Sequence, residues 1–328
     1  MSNLKNSMLK YQNDFAIKFA QLMQEKLYIW KEAQISKRKS LYSLGAILGY
    51  IGISLLGFLP AKNEHDYDLT FHCWAAVILF IGAIIGNIIH TNKEYQGIIK
   101  KTLFKDLLRV FNKDITYNNS CVAIPTDVFR NSMLYREDHI QIRHDDDSFC
   151  GVFQDVEFKI NEVDFGYEYE TKNGKRYAPV FNGVAMHFKM NKEIKTRVLI
   201  VSKSSRKKAP ANYEKVELEY NKFAKKYNVY AEKSVMGASG QIEARYLLNT
   251  AFLDRFMQIQ TSFKINNMCC SVYGENLLIM LSTKRDLFEM NHLFGRVDDT
   301  RQYKSLFEEF ASVLSFIDVL NLASRTKL

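Results

Sequence analysis

Two long stretches without a charged side chain constrain the fold of this chain most strongly. Residues 40–61 and residues 69–92 contain no Asp, Glu, Lys or Arg. A helix rises 1.5 Å per residue, so either stretch is long enough to cross a hydrocarbon core of about 30 Å. Helices buried in soluble proteins seldom stay apolar on every face for such a length. The sequence therefore predicts a transmembrane hairpin over residues 40–92, with spans at about 41–60 and 71–90.

The basic residues around this hairpin predict its orientation. Lys37, Arg38 and Lys39 directly precede the first span and further lysines follow the second, whereas the connecting loop AKNEHDYDLT is acidic. Lysine and arginine collect on the cytoplasmic side of a membrane. We therefore expect both termini in the cytoplasm, the loop outside, and the three basic residues near anionic lipid headgroups.

Glycines recur in both spans at matching depth. Gly45 and Gly49 lie in the first span, and Gly82 and Gly86 lie in the second, in both cases four residues apart. Small residues allow helix backbones to approach each other closely in lipid. The sequence predicts that the four glycines close the hairpin within one chain. The alternative use is to pack neighbouring chains into a homo-oligomer.

The segments on either side of the hairpin have helical spacing. Residues 1–39 repeat apolar side chains every three to five positions and predict an amphipathic helix. Residues 93–113 continue the spacing of the second span and predict a helical stalk. The spans contain no Asp, Glu, Lys or Arg, so a channel or transporter that works through a charged relay is not expected.

From residue 114 the pattern changes to that of strands. VEFKINEVDFGYEYE and TRVLIVS are β-branched or alternating, and Asn173-Gly174 predicts a tight turn. MCCSVYGENLLIML predicts a second hairpin about Gly274, and QIEARYLLNTAFLDRFMQIQ predicts one helix. The predicted fold class is α+β, in which residues 114–328 form a cytoplasmic domain built on an antiparallel sheet with helices.

Three groups of polar residues in this domain are candidate sites. The loop KSSRKKAP places Lys203, Arg206, Lys207 and Lys208 where they could contact lipid phosphate or another anion, or simply remain exposed. The run HDDD at residues 144–147 is better explained as a solvated turn than as a cation site, because adjacent carboxylates point in different directions. Glu243 and Arg245 lie two apart on one helix, so each is expected to form a structural ion pair with another element.

The sequence contains none of the motifs that would predict an enzyme or a bound cofactor. There is no phosphate-binding loop, nucleophile elbow, zinc-protease motif or dinucleotide turn, and the five cysteines form no CxxC pair. We therefore predict no catalytic, cofactor or metal residue. The net charge of +9 does not predict nucleic-acid binding, because we find no nucleic-acid-binding motif and no basic face interleaved with aromatic residues.

Several segments resemble a known bacterial family. YEKVELEYNKFAKKYNVYAE followed by QIEARYLLNTAFLDRFMQI, together with FCGVF, Tyr273-Gly274-Glu275-Asn276 and RDLFE, is similar to the family of two-span membrane proteins called domain of unknown function 3137. The similarity extends over most of residues 93–322. It departs at residues 233–240, where KSVMGASG replaces a short acidic turn. The resemblance implies a multi-pass protein of the bacterial inner membrane and no established activity.

The expected function is that of a membrane-anchored binding, sensing or scaffolding module without catalytic activity. Its expected partners are membrane lipid and a protein or ligand bound by the cytoplasmic domain. Two alternatives remain open at this point. The cytoplasmic domain could be an enzyme with an unrecognised site, or the chain could be an oligomeric effector that perturbs membranes through the glycine-bearing hairpin.

Overall fold

The structure is a computed structural model, and it describes two compact units. The described residues are 2–57, 67–108, 114–119, 121–205, 210–233, 240–265, 267–283, 288, 293–298, 308–314 and 316–317, with side chains at 2–12, 53–57, 67–76, 79, 105, 107 and 191–192 left out. The hairpin unit comprises Phe19–Leu103 and Glu289–Gln302. The sheet unit comprises Met1–Lys18, Phe104–Phe288 and Tyr303–Leu328. The described residues 293–298 therefore group with the helices and not with the sheet.

The hairpin unit consists mainly of two long helices, from residue 19 of the first to residue 103 of the second. Helix α1 covers Ser2–Gly57 and helix α2 covers Tyr67–Leu107. The boundaries predicted at residues 39/40 and 92/93 thus lie inside continuous helices, because the helical spacing of the flanks continues that of the apolar stretches. Among the described residues, no helix contains a segment both long and apolar enough to qualify as a membrane span.

Contacts between α1 and α2 show that they run antiparallel. The Nε1 of Trp30 donates a hydrogen bond of 2.9 Å to the Oγ1 of Thr102. Lys37 forms an ion pair of 2.6 Å with Glu94. Farther along, a Cβ built on Gly52 would lie 3.4 Å from the ring of Phe80. Residue numbers rise along α1 as they fall along α2 by nearly the same amount, so one register holds over this whole length.

A seven-stranded antiparallel sheet forms the centre of the sheet unit, as far as its residues are described. The strand order is β1-β2-β3-β4-β6-β5, and β7 also pairs with β4. The strands are β1 Thr116–Asn118, β2 Ile142–Phe153, β3 Val156–Thr171, β4 Gly174–Ser202, β5 Tyr213–Val216, β6 Tyr227–Glu232 and β7 Asn267–Ser282. The predicted α+β class with an antiparallel sheet is confirmed.

The hairpin predicted about Gly274 is not formed. Strand β7 continues through this residue, and both its halves pair with β4, which runs antiparallel to it along its length. Gly274 has a φ of +53° and pairs with Ile194 between two register shifts. The glycine therefore accommodates an irregularity in a long strand pair, and the chain does not reverse there.

Helices cover both faces of the sheet. The described helices of the sheet unit include α3 Thr126–Asn131, α4 Asn221–Ala224, α5 Gly240–Leu247 and α6 Thr250–Ser262. On one face, Phe129 of α3 packs against Phe165, with ring centroids 5.7 Å apart. On the opposite face, Phe316 contacts Phe252 of α6 and Phe188 of β4, at 5.2 Å and 5.6 Å. Residues 308–314, near the chain end, are also helical.

The helix predicted over residues 241–260 is divided into α5 and α6. The side chain of Asn249 accepts a hydrogen bond of 3.0 Å from the backbone N–H of Phe252, as an N-cap does. Capping satisfies a backbone N–H that would otherwise lack a partner at the start of a new helix. The N-cap at Asn249 thus begins a new helix, α6, at a position where the apolar periodicity alone predicted that one helix continues.

Candidate functional site

A cavity of about 150 Å³ lies where the end of β4 meets β5, β6 and α4. Its lining includes Lys203, Lys215, Glu217, Phe223 and Tyr227. Lys203 begins the short helical turn Lys203–Ser205 directly after β4, and its backbone N–H donates to the carbonyl of Lys226 at 2.9 Å. The cavity therefore contains one of the four loop cations that the sequence analysis selected. Arg206, Lys207 and Lys208 lie outside the described residues.

The charges around this cavity are predominantly positive. Lys215 forms an ion pair of 2.7 Å with Glu217. The hydrogen bond from Lys215 holds the pKa of Glu217 below its usual value, and the charges of Lys203 and Arg245 lower it further. Three cations thus act on one carboxylate. Within the described part of the chain, Lys203 has no carboxylate partner at ion-pair distance, so its ammonium group is available to an anion.

Two aromatic residues of the cavity lining, Phe223 and Tyr227, are themselves buried. The ring of Tyr227 stacks on Phe223 at 4.7 Å and meets the edge of Phe256 at 5.3 Å. Its hydroxyl is buried without a hydrogen-bond partner among the described residues. Burial raises the pKa of Tyr227, so the hydroxyl stays protonated and can donate a hydrogen bond. Among the described lining residues, Lys203 is therefore the cation without a carboxylate partner that can attract a small anion.

Two of the three basic residues before the first predicted span have partners within the hairpin unit. Lys37 is paired with Glu94, and this hydrogen bond lowers the pKa of Glu94. The Nε of Arg38 donates to the carbonyl of Leu293 at 2.8 Å. Lys39 is exposed. The lipid contact stays a prediction for all three residues, of which Lys37 and Arg38 also serve the packing of the hairpin unit.

Glu243 and Arg245 differ from the structural ion pairs that the sequence predicted. The carboxylate of Glu243 accepts hydrogen bonds from the backbone N–H groups of Lys195 and Thr196, at 3.0 Å and 2.8 Å. Glu243 thus joins α5 to β4 through the backbone, where β4 shifts register and leaves its N–H groups without strand partners. Arg245 is exposed and belongs with the cations around Glu217.

The four glycines of the predicted notch do not meet within one chain. Continuing the observed register places Gly45 level with Gly86 and Gly49 level with Gly82. Yet a Cβ built on any of the four would meet no described atom within 4 Å. Gly82 lies two residues, or about 200°, around α2 from Phe80, whose ring contacts Gly52 of α1, and Gly86 lies about one turn beyond Gly82 on the same face. The four glycines lie at matching depth, but the face of α2 that carries Gly82 and Gly86 points away from α1. The contact between neighbouring chains therefore stays a prediction, and the contact within one chain does not form among the described residues.

A buried ion pair in β2 was missed by the sequence analysis. Arg143 contacts Asp145, and their side chains are 10% and 7% exposed. The guanidinium also donates to the Oγ1 of Thr126 at 3.1 Å and lies 4.8 Å from the ring centroid of Phe129. The run HDDD is thus part of a strand and not a solvated turn. The alternation of Arg143 and Asp145, two apart on one strand face, was the available signal.

Comparisons with known proteins support the family resemblance and little else. The sequence profile of a family described as a protein of unknown function (DUF3137) matches residues 179–322. The predicted resemblance to this family is therefore confirmed for the C-terminal part of the chain. The match contains the segments around Glu243, Gly274 and RDLFE, whereas FCGVF at residues 149–153 precedes it. No curated protein matches the sequence.

One solved structure is similar in part. It is the mycobacterial trehalose monomycolate transport factor A, at 8% sequence identity and a TM-score of 0.36. The similarity covers 63% of this chain and 88% of that chain. With so low a TM-score, it supports no argument about the function of this protein.

Proposed function

We propose that this protein is anchored in the bacterial inner membrane by its helical hairpin and binds an anionic ligand with its sheet unit, without catalysis. Both termini lie in the cytoplasm in this proposal, and the spans are those at about residues 41–60 and 71–90. The observation that supports anchoring is a band of exposed apolar side chains at one level of the hairpin. Ile47 and Ile51 of α1 and Ile81 and Ile85 of α2 are between 46% and 58% exposed.

This band would be costly in water and favourable in lipid. Soluble proteins rarely expose contiguous apolar patches of more than a few hundred Å². The antiparallel register brings the four isoleucines to one level, and Tyr50, Ile78 and Ile89 extend the band. Its side chains face outward, as lipid-contacting residues of a helical hairpin do.

Charged substitutions in the band test the anchor. Aspartate at the centre of a membrane helix costs about 2.5–3.5 kcal/mol per residue. The chain with Ile47→Asp, Ile81→Asp and Ile85→Asp should leave the membrane pellet after an alkaline carbonate wash. The matched control replaces three isoleucines of similar exposure elsewhere on α1, namely Ile17, Ile29 and Ile35, and should stay in the pellet. Wild-type protein released by the wash would refute the anchor.

The ligand site of this proposal is the cavity beside Lys203. Its size and its single cation without a carboxylate partner favour a small anion such as a phosphate group. Addition of inorganic phosphate to the full chain in neutral detergent should protect the protein thermally, and Lys203→Gln should abolish the protection. Lys222→Gln, an exposed lysine on α4 outside the cavity lining, is the control. Equal protection of wild type and Lys203→Gln would exclude this site.

Association of chains through α2 is part of the same proposal. Gly82 and Gly86 are exposed on the face of α2 that points away from α1. In lipid, such a small-residue face can receive a second helix. Chemical crosslinking in native membranes should yield a homo-oligomer that Gly82→Leu and Gly86→Leu together reduce. If the crosslinked species is unchanged by both substitutions, the helices associate elsewhere or not at all.

A further inference from the structure

The turn Leu293–Gly295 is fixed to both helices of the hairpin unit. The Nε2 of Gln34 donates to the carbonyls of Leu293 and Gly295, at 2.9 Å each. Arg38 donates to the carbonyl of Leu293 at 2.8 Å, and the side-chain oxygen of Asn92 accepts from the N–H of Leu293 at 2.7 Å. Leu293 is fully buried. Four hydrogen bonds and one buried side chain therefore determine where this turn lies.

The same hydrogen bonds leave Phe294, the central residue of this turn, exposed on the surface of the hairpin unit. Phe294 is 54% exposed, although the residues on both sides of it are bonded to the helices. The guanidinium carbon of Arg38 lies 5.7 Å from the centroid of its ring, within the range of a cation–π contact. The apolar ring of Phe294 is thus exposed on a backbone that is fixed to the helices, and it lies beside the guanidinium group of Arg38.

The position of Phe294 along the hairpin is the boundary between basic and apolar residues. Its turn is bonded to Arg38 on α1 and Asn92 on α2. From Arg38 toward the hairpin loop, the next exposed large residues are Tyr42, Leu44 and Ile47. From Asn92 in the same direction, they are Ile89 and Ile85, while Lys39 and Lys93 are exposed at the boundary itself. The ring therefore lies where the charged part of the hairpin ends and the apolar band begins.

We propose that Phe294 is an interfacial membrane anchor, which inserts among lipid headgroups while Arg38 contacts their phosphates. This inference rests on the proposed membrane anchoring of the hairpin. Aromatic rings are enriched at the membrane–water interface, and basic residues there are attracted to anionic lipid. The anchor connects a segment distant in sequence to the membrane surface, and it orients residues 293–298 relative to the bilayer.

A local probe of lipid contact tests this proposal. The full chain is reconstituted in vesicles of phosphatidylcholine and phosphatidylglycerol at a ratio of three to one, with trifluoromethyl-phenylalanine at position 294. The fluorine relaxation caused by a water-soluble gadolinium chelate is compared with that caused by a lipid carrying a spin label near its headgroup. Two reference positions are Tyr50, which is exposed in the apolar band, and Tyr169, which is exposed in the sheet unit.

The three positions separate this inference from the proposed anchoring. We expect probes at 50 and 294 to be relaxed at least several-fold more by the labelled lipid than by the chelate, and the probe at 169 to show the reverse. If the probe at 50 contacts lipid and the probe at 294 contacts water, the anchor role of Phe294 is refuted and the hairpin anchor stands. If the probe at 294 is shielded from both agents, the ring is covered by protein and the inference is equally wrong. A probe at 50 relaxed by the chelate would refute both proposals.

Discussion

Glu243 offers a sharp test of how the sheet unit is held together. Its carboxylate is the acceptor for two consecutive backbone N–H groups of β4, and no cation is needed for this role. Replacement by alanine leaves the N–H groups of Lys195 and Thr196 without their acceptor. Since hydrogen bonds to a charged group contribute about 1.5–3 kcal/mol each, and one of these bonds is exposed to solvent, we expect a total loss of about 2–3 kcal/mol.

The measurement is thermal unfolding of the full chain in neutral detergent, followed by near-ultraviolet circular dichroism. For a unit of about 150–250 residues, 1 kcal/mol shifts the Tm by roughly 2–4 °C, so Glu243→Ala should lower it by roughly 5–10 °C. Glu243→Gln retains one acceptor oxygen and should give an intermediate shift. Arg245→Ala is the matched control on the same helix, because the side chain is exposed and should change stability by about 0.5 kcal/mol or less.

The results that would refute this reasoning are specific. If Arg245→Ala destabilises the protein as much as Glu243→Ala, Arg245 also forms a structural ion pair with another element, as the sequence alone suggested. If Glu243→Ala leaves the Tm unchanged, water replaces the carboxylate at β4 without cost, and the attachment of α5 depends on apolar packing around Ala244, which is buried.

Three further perturbations follow from the described contacts. Asp145→Asn should cost about 3 kcal/mol in a denaturant titration, because it leaves the guanidinium of Arg143 buried without its counter-charge; an unchanged unfolding midpoint would contradict this. Burial lowers the pKa of His187, so the folded state favours the neutral imidazole. The free energy of unfolding should therefore be constant above a pH of about 6.5, the pKa of histidine in the unfolded chain, and should decrease as the pH falls below it. His187→Gln should remove this part of the pH dependence. Gly52→Leu should meet the ring of Phe80 and lower the Tm by the equivalent of about 1–3 kcal/mol, whereas Gly86→Leu should not, and equal effects would place both residues in the same contact.

The glycines illustrate which part of a helical hairpin is predictable from its sequence. Counting residues from the ends of two apolar stretches gives the depth of each residue, and Gly45 and Gly86 lie level as expected. The face that each helix turns toward its partner depends on packing over its whole length, including the contact of Trp30 with Thr102 far from the apolar stretch. Successive helical residues point in directions about 100° apart, so an error of two residues in the predicted contact positions moves a side chain to the opposite face of its helix.

In the sheet unit, local signals predicted element types better than connections. Alternation and β-branching predicted strands in the regions of β3 and β4, and Asn173-Gly174 predicted a turn; the central residues of that turn are Lys172 and Asn173. Gly274 has the same local character as a turn glycine, yet it lies inside β7. The difference comes from β4, whose own irregularity at Ile194 matches that of β7, and a local pattern contains no information about a strand 80 residues earlier.

For the polar residues of the candidate site, too, local patterns were predictable from the sequence and long-range contacts were not. Lys203 was found because it begins a basic run, and composition is a local property. Lys215, Tyr227 and Arg245 reach the same region only through the pairing of β5 with β6 and the placement of α5 beside β4. Likewise, Phe294 is one aromatic residue among many in the sequence, and its significance depends on the hydrogen bonds from Gln34 and Arg38 to its neighbours.

Topology in living cells tests the central claim most directly. Single cysteines at Asn63, in the loop between the two apolar stretches, and at Ser204, beside the cavity, are introduced into the full chain after replacement of its native cysteines. A membrane-impermeant thiol reagent is then added to intact and to permeabilised cells. Anchoring by a hairpin with both termini in the cytoplasm predicts labelling at 63 in intact cells and at 204 only after permeabilisation. Labelling at 204 in intact cells, or equal protection of both positions until permeabilisation, would contradict the proposed anchor.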